Sequence, residues 1–447
     1  NEKPGDLKAF LNLAMERRHS GSPYEEFFTG GGVQHFENFE KEENSKIYSV
    51  REAFYHSVNL SFIRLMRDLV SYHRVRLPYD SDDVLANSAN AERGKMLQEI
   101  AEEESRQALR RAYQNYAKQT PQQIVTHLLG ARKNPQRRAT ILFFAWHLGK
   151  SESDLETWLQ QNRIPTKGLD LVKLYHAYSN PRLGLTDYAF LLGMHPLDLW
   201  CATQFRNDPN LSWEKLYASS AEARRMASAW LLSGRNRRAQ DLRLRIRMEK
   251  DAFVRMTPYW QKLGFPFKTM VPTYATAIGS SSDRPVALAE LVGILVNDGM
   301  RRPTQSLTNV HFASGTPYET LFERSIADGE QVLDPQIASI VRQTMTGVVE
   351  EGTARRLSGA FKLPDGKPIT VGGKTGSGDN RFETFNRHGG VISSRATNRT
   401  ATFVFYIGER YFGVITAYVQ GREAENYRFT SALPVTLLRL LAPTLLP

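Results

Sequence analysis

Between residues 49 and 70 apolar side chains recur along one stripe, formed by Ala53, Phe54, Val58, Phe62, Leu65, Met66 and Leu69. The spacing predicts one unbroken helix, capped by Ser49 with Glu52 three residues on. Residues 7–18 also have helical spacing, and Thr29-Gly30-Gly31-Gly32 reads as a flexible turn. From 76 to 255 strand-like alternation nearly vanishes. Helical segments follow one another over 91–118, 121–129, 137–148, 153–161, 169–179, 186–193, 196–205, 212–232 and 237–263, punctuated by Asn180-Pro181 and Asp208-Pro209. They share no fixed repeat length, so a solenoid is not indicated.

Past 256 the pattern changes again. Helices are expected over 283–299 and 335–350, each followed by a glycine. Residues 368–372 read as a short β-branched strand. Residues 400–408 and 412–420 read as a hairpin joined near Glu409-Arg410-Tyr411. The apolar segment 432–446, interrupted by Arg439, is too short to span a bilayer and reads as a helix that covers the sheet. Late strands with helices before and after them argue an α+β fold. The expected division is 1–75 and 256–447 as two parts of one domain, with 76–255 as an all-helical insertion.

Composition narrows the partners rather than the fold. The 447 residues are 41% hydrophobic and 11% aromatic, enough for a packed core. Net charge is +11, which suits an anionic partner without choosing one. Residues 221–255 concentrate that charge, with ten Arg or Lys against four Asp or Glu. A solvated helix surface, or contact with an anionic wall polymer or membrane surface, is expected there rather than nucleic acid. Cys201 is the single cysteine, which excludes an intrachain disulfide. Ten histidines show no ligand spacing, so no metal and no cofactor is expected. Trp200, Trp213, Trp230 and Trp260 fall in helical patterns and read as core.

The most informative string is Gly372-Gly373-Lys374-Thr375-Gly376-Ser377-Gly378, at the end of a predicted strand. Glycines allow a close backbone approach, and an ammonium beside two hydroxyls makes a carboxylate clamp. A glycine-rich turn is the plain alternative. Ser57-Val58-Asn59 is a second candidate on the 49–70 segment, although Ser88-Ala89-Asn90 matches the same short pattern.

The stretch from Arg51 to Leu65 around Ser57-Val58-Asn59 resembles the Ser-x-Asn region of class A penicillin-binding proteins, the bifunctional peptidoglycan glycosyltransferase/transpeptidases. Lys374-Thr375-Gly376 is similar to their Lys-Thr-Gly motif. Tyr274–Ser280, Val296-Asn297-Asp298-Gly299 and Val348–Ala354 are similar to segments between the two motifs. The resemblance covers about 20–75 and 256–447 and leaves the helical insertion aside.

It implies a penicillin-binding-protein/β-lactamase-like fold, an antiparallel sheet flanked by helices, that cross-links D-Ala-D-Ala stem peptides and binds β-lactams. In that chemistry a serine attacks the stem carbonyl, D-Ala leaves, and a neighbouring amine resolves the acyl-enzyme. Ser57 would relay the proton to the leaving nitrogen. Asn59 would hold the substrate amide and orient the active-site lysine. Lys374 would supply positive potential. Thr375 and Ser377 would hold the terminal carboxylate beside Gly376, with the Ser377 N–H in the oxyanion hole. A Gly352-Thr353 pair would lie near the cleft, although a helix cap explains that glycine equally well. Arg64 is expected to reach a carboxylate as a structural residue.

One motif departs from the family. Ser212-Trp213-Glu214-Lys215 is the only Ser-x-x-Lys in the sequence, lies after Ser57 in the helical insertion, and reads as a helix N-cap. Gly5-Asp6-Leu7-Lys8 has the spacing but glycine where the nucleophile belongs. Two explanations stand: a fragment that starts downstream of its nucleophile, or a lost nucleophile. The start at Asn1-Glu2-Lys3-Pro4 favours the first. The resemblance would place a glycosyltransferase domain and a membrane anchor upstream, and the whole outside the cytoplasmic membrane. A non-catalytic wall- or protein-binding scaffold, and a D-Ala-D-Ala carboxypeptidase on the same fold, are the competing readings.

Overall fold

The structure, a computed structural model, describes residues 5–130, 134–149, 151–325, 327–385 and 391–445. The chain divides into two compact units, Asn1–Pro78 with Met248–Pro447, and Tyr79–Arg247. The division at 247/248 falls inside one continuous helix, Arg237–Lys262, so no breaker marks it in the sequence.

The discontinuous unit is α+β. Its main sheet is antiparallel, in the order Tyr411–Gln420, Val391–Ile407, Val371–Phe385. Side chains alternate across it, as strand geometry requires. Phe403, Phe405 and Ile407 point to one face and pack with Val435 and Leu438 of the Ala432–Leu445 helix. Val404 and Tyr406 point to the other, against Val292, Leu295 and Met345 of the Pro285–Val296 and Pro335–Glu350 helices. The terminal helix therefore covers the sheet, as its apolar pattern predicts.

The strands are longer than expected. The sequence marks only 368–372 and 400–408, whereas the ladder runs from Val371↔Ile407 out to Val391↔Phe385. Its outer half is polar and glycine-rich and carries two register shifts, at 391/393 and 396/398. Pairing, not side-chain propensity, makes it strand. The candidate lysine thus lies inside a strand, not in the glycine-rich turn that was the plain alternative.

A buried acid anchors the amino-terminal hairpin formed by Phe27–Thr29 and Gly32–Gln34. Glu249, 6% exposed, accepts a hydrogen bond from the buried Thr29 hydroxyl, and Thr29 Oγ1 accepts from the Tyr274 N–H at 2.9 Å. Burial pushes the Glu249 carboxyl up to about 7, against the pull of the Thr29 hydroxyl and the Gly30 N–H. Tyr274 also faces it, within the field of Arg67 and Arg74. The folded state therefore holds a proton that the unfolded chain has released, between the ordinary glutamate range and about pH 7. Stability of this unit falls as pH rises through that window. Glu249→Gln is expected to flatten that fall, read as melting temperature between pH 5 and 8. An unchanged slope would assign it to other groups.

The Tyr79–Arg247 unit is entirely helical among its described residues. Its core gathers Leu109, Ile124, Leu142, Phe143, Leu155, Leu197 and Phe205. Cys201 is fully buried there and burial pushes its thiol up to about 12, a structural rather than reactive cysteine. Two details differ from expectation. The 212–232 segment is two helices, Trp213–Ser219 and Ala221–Leu232, and Asp80 caps an additional short helix, Ser81–Ala86. Trp230 is 47% exposed rather than core, covered by the Arg243 guanidinium.

The basic run meets an acidic partner inside this unit. Arg224 pairs with Glu102, Arg243 with Glu104 at 2.7 Å, and Arg247 with Glu99 at 3.0 Å, all on the Ala91–Tyr116 helix. Part of that charge, on two helices, is thus paired with glutamates of a third. Among the described residues no helix is long and apolar enough to cross a membrane.

Candidate active site

The site begins with a helix that stops early. Ser49 and Glu52 form the expected capping box, yet the helix covers only Val50–His56. Ser57 adopts a left-handed conformation, φ 60° and ψ 41°, and a second helix runs Asn59–Arg74. A non-glycine residue held there is strained by roughly 1–2 kcal/mol. Packing compensates: Val58 and Leu60 are fully buried, and the freed Tyr55 carbonyl accepts the Thr353 N–H at 3.1 Å. Gly352 makes that approach possible, because a Cβ there would lie 2.2 Å from the Tyr55 oxygen. The glycine therefore serves close contact, and just past the Glu351 C-cap of the Pro335–Glu350 helix its N–H also donates to the Gly347 carbonyl at 3.1 Å.

The break turns the Ser57 hydroxyl toward the Val371–Phe385 strand. Lys374 Nζ donates to Ser57 Oγ across 317 positions of sequence, and also to the Thr375 carbonyl at 2.9 Å. Ser57 Oγ lies 3.4 Å from Thr375 Oγ1, which shares a 2.6 Å hydrogen bond with Thr353 Oγ1. The result is a polar chain, Lys374–Ser57–Thr375–Thr353. Lys374 Nζ sits 5.6 Å from the Phe54 ring centroid, and loss of solvation lowers its ammonium to about 8. At pH 7 it remains largely charged.

The glycines divide by function. A Cβ at Gly372 would lie 2.4 Å from the Tyr406 ring, and one at Gly373 would lie 2.3 Å from Phe403 and 2.5 Å from the Val404 oxygen. These two let aromatic side chains pack onto the strand. Gly376 and Gly378 have nothing within 4 Å of a Cβ, so they border open space. Gly373→Ala is expected to cost about 1–3 kcal/mol through overpacking, while Gly376→Ala leaves the melting temperature unchanged or slightly raised. Equal losses at both positions in thermal melts would refute the division.

The other predicted residues are placed differently. Ser377 is exposed, and its Oγ accepts from the Ser431 N–H at 2.8 Å, just before the terminal helix. Asn59 donates its amide to the Glu37 carbonyl at 3.1 Å, and no contact among the described residues joins it to Lys374. Arg64 reaches Glu25 at 3.0 Å, the carboxylate expected of a structural arginine. Ser212 accepts from the Lys215 N–H at 3.4 Å as the N-cap of its helix, a structural use of the Ser-x-x-Lys match. Phe54, the Tyr55 carbonyl and Ser431 escaped sequence reasoning because backbone acceptors and ring faces leave no motif. Among the described residues no three His, Cys, Asp or Glu side chains gather to hold a metal.

Comparison with known proteins meets this geometry in the carboxy-terminal part. Residues 256–390 match the family described as the penicillin binding protein transpeptidase domain. Penicillin-binding protein 1B of Escherichia coli strain K12 is 29% identical over 130 residues, which are 29% of this chain and 14% of that protein. Among solved structures, apo penicillin-binding protein 3 of Mycobacterium tuberculosis aligns at 16% identity over 46% of this chain and 50% of its own, with a TM-score of 0.28. Penicillin-binding protein 2B of Streptococcus pneumoniae strain R6 aligns at 15% identity over 43% and 32%, with a TM-score of 0.31. The chain thus spans about one seventh of the curated relative and half or less of these solved chains. Residues 256–390, the stretch that matches the penicillin binding protein transpeptidase domain, carry Lys374, Thr375 and Ser377.

Proposed function

We infer that this chain is the transpeptidase part of a class A peptidoglycan synthase, acting on D-Ala-D-Ala stem peptides outside the cytoplasmic membrane and taking β-lactams in the same groove. The observation that carries the reading is the meeting of the Ser57 hydroxyl with the Lys374 ammonium and the Thr375 and Thr353 hydroxyls. In the family's chemistry a nucleophilic serine attacks the penultimate D-Ala carbonyl. The new C–O bond forms as the C–N bond to the terminal D-Ala breaks, and a proton must reach the departing nitrogen. Ser57, between Lys374 and Thr375, is placed to deliver it. Lys374 and Thr375 would hold the terminal carboxylate, with Ser377 and the open edge at Gly376 beside it. An amine of a second stem then attacks the ester, which restores the serine. The Asn59 amide, spent on Glu37, would serve by holding the helix start that presents Ser57.

Titration of an isotopically labelled chain with an acyl-D-Ala-D-Ala peptide tests this. Chemical-shift changes are expected at Ser57, Thr353, Thr375 and Ser377, and Lys374→Met is expected to remove them. Binding that ignores Lys374→Met would overturn the reading.

A further inference from the structure

The Ala432–Leu445 helix is apolar on two sides, and the sheet accounts for only one of them. Its inner side, with Val435, Leu438 and Ala442, is buried in one cluster with Phe403, Phe405 and Ile407. On the outer side Leu433, Leu437, Leu440 and Leu441 are all exposed, Leu440 to 70%. Steps of three and four residues put these four on one stripe about 100° wide. Single exposed leucines are ordinary on a protein surface. Four along one helix make a continuous apolar patch, which marks a surface with a partner.

Unpaired cations border the stripe. Arg439 is the one charged residue of the helix, and it is exposed. The Arg355–Leu357 turn packs against the helix. It sets the exposed Arg356 guanidinium 3.5 Å from Thr436 Oγ1, with Arg355 exposed beside it. Glu350 and Glu351 precede that turn, yet no ion pair among the described residues joins a carboxylate to Arg355, Arg356 or Arg439. The contrast is with Arg224, Arg243 and Arg247 of the helical unit, whose charges are met by glutamates.

Area and charge together choose the occupant. A symmetric pair of copies joined along the four leucines would bury on the order of 800 Å², short of the roughly 1,000 Å² that a stable interface needs. A protein partner is held mainly by Trp, Tyr and Arg anchors set in pockets, and this convex leucine stripe offers no ring and no pocket. A polyanion without apolar parts would use the arginines and leave the leucines wet. An anionic bilayer takes both, leucines at the acyl boundary and guanidiniums among the headgroups. The helix has 14 residues, so it is about 21 Å long, below the roughly 30 Å of a hydrocarbon core. Its inner side is also tied to the sheet, so it would lie in the plane of the surface rather than cross it.

We propose that the outer face of the Ala432–Leu445 helix docks on an anionic lipid surface, with Leu433, Leu437, Leu440 and Leu441 in the boundary between headgroups and acyl chains and Arg355, Arg356 and Arg439 among the lipid phosphates. The proposal stands without the transpeptidase reading, because it uses no residue of the Lys374 groove. It has a consequence for that groove all the same. The helix follows Ser431, whose N–H meets Ser377 Oγ at 2.8 Å, so a docked helix brings the Ser377 end of the groove beside the bilayer.

The test floats the full chain with vesicles of equal parts phosphatidylglycerol and phosphatidylcholine, and with vesicles of phosphatidylcholine alone. Binding to the anionic vesicles is expected, weaker by about tenfold or more on the neutral ones and weakened by added salt. Leu440→Asp is expected to weaken it about tenfold or more, and Arg439→Gln about fivefold. Both residues are exposed, so the melting temperature of each variant should match that of the parent chain. Arg238→Glu, an exposed change on the helical unit, should leave the binding as it is. Absence of binding to anionic vesicles would overturn the proposal, as would binding indifferent to Leu440→Asp. Binding that falls with Arg238→Glu but not with Leu440→Asp would move the contact to the helical unit. A lipid-free dimer in sedimentation that Leu440→Asp dissolves would give the stripe to a second copy, and the proposal would fall.

Discussion

A fluorescent penicillin incubated with this chain at neutral pH is expected to leave no covalent adduct, read as an unchanged intact mass. The serine best placed to react is Ser57, and its surroundings explain why it should not. Its oxygen already accepts from the Lys374 ammonium, which is lowered to about 8 and so stays mostly protonated at neutral pH. An ammonium cannot take the hydroxyl proton, so at neutral pH Lys374 leaves Ser57 largely without a base. Ser212 is committed to its helix N-terminus. What should persist is reversible binding of the β-lactam carboxylate, driven by the same ammonium. A charge-assisted hydrogen bond contributes about 1.5–3 kcal/mol, so Lys374→Met at pH 7 should weaken that binding roughly tenfold to hundredfold. Raising pH through about 8 discharges Lys374 and should weaken it in the same direction. A stoichiometric adduct on Ser57 would make that residue a nucleophile and end its assignment as a proton relay.

What could be read in advance follows the range of the physics involved. Helices whose apolar stripe and caps are local were legible: Pro335–Glu350 has its expected limits, and Pro121–Leu129 begins at its proline with the Thr120–Gln123 capping box. The Ser57 break was not. The apolar spacing continues across it, and its cause is remote, a backbone contact from Gly352-Thr353 to Tyr55. The length of the Val371–Phe385 strand was hidden for a similar reason, since its outer half is strand only because it pairs with Val391–Ile407. Lys374 and Thr375 stood out because a cation and a hydroxyl beside glycines are unusual company, and Ser57 through the resemblance of the Arg51–Leu65 stretch. Thr353 drew notice through resemblance alone, and its hydrogen bond to Thr375 needs coordinates. Net charge along residues 221–255 could not show that Arg224, Arg243 and Arg247 pair with glutamates of the helix that faces them.

The Ala91–Tyr116 helix also holds the most consequential buried cation in the helical unit, and Arg93→Ala is expected to cost about 3 kcal/mol. Arg93 is 2% exposed. Its guanidinium donates to the Val84 carbonyl at 3.0 Å, to Gln240 Oε1 at 2.8 Å and to Asp241 Oδ1 at 2.9 Å. It therefore ties the short Ser81–Ala86 helix and the Arg237–Lys262 helix to Ala91–Tyr116. Truncation leaves the Val84 carbonyl and the Gln240 oxygen short of a donor and opens a cavity. Asp241 is partly rescued, because it is 30% exposed and also pairs with Arg237 at 3.1 Å. That rescue places the expected loss at the low end of the usual range for a broken buried pair. For a unit of this size it amounts to a drop of roughly 6–12 °C in melting temperature. Arg243→Ala breaks an exposed pair with Glu104 and should cost no more than about 1 kcal/mol. Calorimetry that found the two substitutions equally mild would show that the three hydrogen bonds do not hold the helices together, and that the apolar core around Leu109 and Phe205 does so alone.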